Sequence, residues 1–127
     1  MPSKVQFSET QKAAIVSLLI EMINADEKVD KQERDVFNCI CAEYAIGEDA
    51  YSLGRSLNSL VAVDIMKRMS DMQKIVTARL LTRVIDADAK DDDREIRLFN
   101  IICSLTGVDV IIRVSDAENF DEGKTSK

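Results

Sequence analysis

Histidine is absent from all 127 residues of this chain. That removes the commonest general base and argues against a zinc site with nitrogen ligands. Proline occurs once, as Pro2, and glycine only at 47, 54, 107 and 123. So few breakers favour an all-helical domain. No apolar run approaches the roughly 18 residues a membrane helix needs. The stretch from Met1 to Lys12 is polar and has no apolar signal-peptide core. The expectation is a soluble, cytoplasmic protein with no direct membrane insertion. Excess positive charge is missing as well, since the net charge is -6. Nucleic-acid binding through an electrostatic footprint is thereby disfavoured. The three cysteines, Cys39, Cys41 and Cys103, are an odd number, which points to reduced thiols. They read as small hydrophobes, with Cys41 and Cys103 expected to be buried.

A long repeat dominates what is present. Asn24-Ala25-Asp26-Glu27-Lys28-Val29-Asp30-Lys31-Gln32-Glu33 returns 62 residues later as Asp86-Ala87-Asp88-Ala89-Lys90-Asp91-Asp92-Asp93-Arg94-Glu95. Ala, Asp, Lys, Asp and Glu keep their relative places, and the apolar flanks repeat with them. Leu18-Leu19 and Ile23 match Leu80-Leu81 and Ile85. Phe37-Asn38, Ile40 and Cys41 match Phe99-Asn100, Ile102 and Cys103. The organising unit is an acidic corner between two apolar helical stripes, present twice.

Helix signals follow the same plan. Ser8-x-x-Gln11 and Ser70-x-x-Gln73 are capping boxes before apolar stripes. Asp30-x-x-Glu33 and Asp92-x-x-Glu95 cap the helix after each corner. Gly47 and Gly107 are placed to end those helices. Residues 48 to 69 are expected to form one or two short helices with a turn near Asn58-Ser59. The segment Val110 to Val114 is open between helix and strand. Met22, Met66, Met69 and Met72 read as core filler. The fold expected is a small, all-α, bundle-like domain over residues 8–114, built from two repeated helix pairs about a pseudo-two-fold axis. An acidic tail, 115–127, is expected to be disordered.

The corners admit two readings. Asp26, Asp30 and Glu33 in the first, and Asp88, Asp92 and Glu95 in the second, can converge as oxygen ligands for a hard cation such as calcium or magnesium. Alternatively, Asp30/Glu33 and Asp92/Glu95 only cap helices. Capping does not account for Asp26 and Asp88, which stand near helix C-termini, where the dipole disfavours negative charge. Neither corner is an EF-hand. Counting from Asp26, position 6 is Lys31 and position 12 is Phe37; counting from Asp88, they are Asp93 and Phe99.

The run Ala-Asp-x-Lys-Val-Asp-x-x-Glu-Arg, followed by a helix and then repeated, resembles the tellurite-resistance TerB family over roughly residues 8 to 114. That resemblance implies a small helical domain in which Asp26, Asp30, Glu33, Asp88, Asp92 and Glu95 match acidic positions proposed to chelate a metal. It also implies a stress-response role and association with Ter-system or membrane-linked proteins, without a defined reaction. The chain departs from the family where glycine usually follows Ala-Asp, carrying Glu27 and Ala89 instead.

No nucleophile motif or glycine-rich phosphate loop accompanies the paired carboxylates. The expectation is a non-catalytic domain with no organic cofactor, binding a divalent cation, a protein partner or both through its acidic corners. The alternative is a purely structural interaction module without metal.

Overall fold

The structure, a computed structural model, describes residues 5–25, 31–87 and 93–113. It is all helical, with no strand among the described residues. The helices are α1 (Glu9–Asn24), α2 (Lys31–Glu43), α3 (Glu48–Ser56), α4 (Ser59–Lys67), α5 (Asp71–Ala87) and α6 (Asp93–Thr106). A further helical stretch, 108–113, makes the segment open between helix and strand helical up to 113, and Val114 lies outside the described residues.

Local signals place the helix starts. Ser8 Oγ accepts from Gln11 N at 3.1 Å, while Ser8 N donates to Gln11 Oε1 at 2.9 Å. Ser70 and Gln73 make the same pair of bonds at 3.1 and 3.0 Å. Asn58 caps α4 by accepting from Leu60 N at 2.8 Å. The two capping boxes stand 62 residues apart, as the corners do. Their glutamines also bond each other: Gln11 Nε2 donates to Gln73 Oε1 at 3.3 Å, and Gln73 Nε2 donates to Gln11 Oε1 at 3.1 Å.

Helix α1 is the centre of the molecule, and every residue from Ala13 to Leu19 on it is buried. A helix covered on all sides must be apolar or small on all sides, and this run is Ala-Ala-Ile-Val-Ser-Leu-Leu. Helices α3, α4 and α5 pack directly on it, and α2 packs chiefly on α5. Close approach of α3 to α1 depends on Gly54. A Cβ there would lie 2.6 Å from the Ala13 carbonyl oxygen and 2.6 Å from Val16 Cβ. The core joins both stripes: Leu18, Leu19, Met22 and Ile23 from α1 with Leu80, Leu81, Val84 and Ile85 from α5.

Three expectations need correction. Gly47 does not end α2. The chain turns at Ala45, with φ of 54°, and Gly47 sits in extended backbone as the N-cap of α3. The residue 62 positions beyond Ala45 is Gly107, with φ of 85°, which does end α6 as expected. Met72 is 57% exposed because it lies on the outer side of the first turn of α5, whereas Met22, Met66 and Met69 are buried. Among the thiols, Cys39 is exposed and Cys41 only partly buried, while Cys103 is buried. All three are free.

Candidate functional site

The acidic corners divide between residues that are described and residues that are not. Asp26, Asp30, Asp88 and Asp92 lie outside the described residues. Glu33 and Glu95 lie inside them, in the first turns of α2 and α6. Both side chains have 0% exposure. All four of their carboxylate oxygens are sealed from solvent. Neither glutamate is without a partner. The neighbouring acids Asp35, Asp86 and Asp93 are exposed.

Burial of this degree is unusual for a helix-capping carboxylate. Glutamate is almost never fully buried unless its charge is compensated, because desolvating a carboxylate is costly. The other two capping boxes offer an internal contrast. Their N3 residues are the neutral amides Gln11 and Gln73, which cap α1 and α5 through the bonds given above. A neutral amide therefore suffices for capping in this molecule. At the two corners the chain instead buries an ionisable acid, and it does so at the same place in both copies.

Among the described residues, no group of three or more His, Cys, Asp or Glu side chains is gathered closely enough to hold a metal ion. What the described residues bring to each corner is one buried carboxylate at the head of a helix. The helix N-terminus itself favours an anion there. An oxygen-only donor set with no histidine suits a hard cation better than zinc.

The solved structures hold a counterpart. The chain is similar to the crystal structure of a protein of unknown function from Porphyromonas gingivalis W83, with 26% identity and a TM-score of 0.70. The match covers 83% of this chain and 88% of that one. No family model matches the chain, and no curated protein matches it. The neighbour therefore supports the helical architecture and assigns no activity.

Other chemistry among the described residues is sparse. Burial pushes the Cys103 thiol up to about 11, with the nearby Asp109 charge adding to the effect. Burial also raises the Cys41 thiol above its ordinary value. Both are thus held in the protonated, weakly nucleophilic form. Glu43 and Arg83 form a two-pronged ion pair between α2 and α5, with N–O distances of 3.0 and 2.8 Å. The buried state of Glu33 and Glu95 was not readable from the Asp-x-x-Glu spacing, which looks the same for an exposed cap. The choice of Glu at these N3 positions, against Gln at the other two, was the available signal. No helix among the described residues is long and apolar enough to cross a membrane.

Proposed function

We propose that this chain is a non-catalytic, TerB-like helical domain that binds a hard divalent cation, calcium or magnesium, at its two acidic corners. A stress-response role and engagement of a protein partner go with that reading. One observation carries it: Glu33 and Glu95 are completely buried at equivalent places of a 62-residue repeat. Beside the partners that both glutamates already have, their oxygens are hard donors that a cation shared with the corner aspartates Asp26, Asp30, Asp88 and Asp92 would use. The reciprocal Gln11–Gln73 bond supports two copies of one helix–corner–helix unit related by a pseudo-two-fold axis. Residues on such an axis meet their own counterparts.

The test is a titration with calcium, magnesium and manganese, followed by thermal unfolding and amide NMR. For each site that binds only the folded chain, cation at about 100 times Kd adds about 2.7 kcal/mol of stability. Glu33→Gln and Glu95→Gln keep the shape and the capping group but remove the charge. Each should abolish the gain from its own corner, and Asp26→Asn and Asp88→Asn should weaken it. Should none of the three cations move the melting temperature or the spectra of the unsubstituted chain at millimolar levels, the cation reading fails. The corners would then be caps on an interaction module.

A further inference from the structure

A cavity of about 580 Å³ opens between α1, α2 and α3. That volume is within the usual range for small-molecule sites. Its wall is apolar, formed by Ile20 of α1, Phe37 and Cys41 of α2, and Tyr51 of α3. Two cations, Arg34 and Arg55, stand in the same lining. Among the described residues, neither arginine enters an ion pair. Arg55 is held over the Tyr51 ring, 5.6 Å from its centroid, which orients the guanidinium beside the apolar wall. Glu48, at the start of α3, is the one acid among the lining residues, leaving one net positive charge in a chain of net charge -6.

Arg34 is not demanded by the helix plan. The residue equivalent to Arg34 in the second copy is Ile96, also exposed at the head of its helix, so a helix start of this kind forms without arginine. The α3 helix that closes the cavity follows the first copy and leads into α4.

We infer that this cavity binds a small amphipathic monoanion, a carboxylic acid with an aliphatic or aromatic body. The body lies against Ile20, Phe37, Cys41 and Tyr51, and the carboxylate is held by Arg34 and Arg55. Guanidinium groups suit this task because they donate in a planar fork and stay charged at all working pH values. The inference does not depend on cation binding at the corners.

Octanoate, octan-1-ol and octylamine, titrated into the full chain and followed by amide NMR, separate charge from apolarity. Octanoate should shift the amides of Ile20, Cys41 and Tyr51 and bind about tenfold tighter than the alcohol, the scale of one charge-assisted hydrogen bond. Octylamine should bind most weakly. Arg34→Gln and Arg55→Gln should each weaken octanoate about tenfold while leaving octanol unchanged. Both positions are exposed, so the substitutions leave the core intact. Arg34→Lys and Arg55→Lys should restore part of the loss. Equal binding of the three probes, shifts confined to other parts of the chain, or octanoate affinity indifferent to both arginines would overturn the assignment.

Discussion

Ala45 and Gly107 occupy the same place in the two copies, each just beyond the second helix, and both have positive φ. Glycine takes that conformation freely, whereas a Cβ makes it costly by about 1–2 kcal/mol. The first copy thus carries strain that the second avoids. A lysine stands by each turn. Lys12 Nζ donates to the Ala45 carbonyl at 3.1 Å, and Lys74 Nζ, its counterpart 62 residues on, lies 3.9 Å from where a Gly107 Cβ would be. Cations there complement the negative end of the helix. Ala45→Gly is expected to raise stability by up to about 1 kcal/mol after the entropy cost of glycine. Gly107→Ala is expected to lower it by about 1–2 kcal/mol. Urea denaturation measures both, and an Ala45→Gly midpoint below that of the parent chain would contradict the account.

At the scale of elements, the decisive contact is α3 on α1. Gly54 permits it, since a methyl group would meet the Ala13 carbonyl oxygen and Val16 Cβ at 2.6 Å. The carbonyl belongs to the buried backbone of α1 and cannot rotate away. Gly54→Ala should therefore destabilise by about 2 kcal/mol, the overpacking cost outweighing the gain in helix propensity. It should also perturb the cavity, whose wall includes Tyr51 and Arg55 of the same helix. A chemical melt showing Gly54→Ala to be as stable as the parent chain would mean that α3 sits more loosely than described. The helix limits themselves were largely legible. The Ser-x-x-Gln pairs and Asn58 mark helix starts through bonds spanning only two or three residues.

For the molecule as a whole, the two copies are not independent bodies. Helix α2 packs chiefly on α5, α4 touches α6, and the Gln11–Gln73 bond ties the two capping boxes together. Within the first copy, α1 packs only weakly on α2. Thermal unfolding should accordingly be a single transition, with near-ultraviolet signals from Tyr44 and Tyr51 lost together with helical circular dichroism across the whole chain. Two separated transitions, one for each copy, would show that the interfaces between them are weak. The candidate site was partly legible at this scale. The repeat singled out Glu33 and Glu95 by spacing, but spacing does not show that both are completely buried.

The sequence by itself determined the helical class, the 62-residue repeat, the Ser-x-x-Gln caps and most of the apolar stripes. These rest on periodicity and hydrogen bonds between near neighbours, which a short window contains. Only the tertiary structure decided which faces are covered. It put α1 at the centre, left Cys39 and Met72 outside, moved the left-handed turn to Ala45, and gathered Arg34 and Arg55 around one cavity. Coverage is a property of packing between segments far apart in the chain, and helical spacing is blind to what lies opposite.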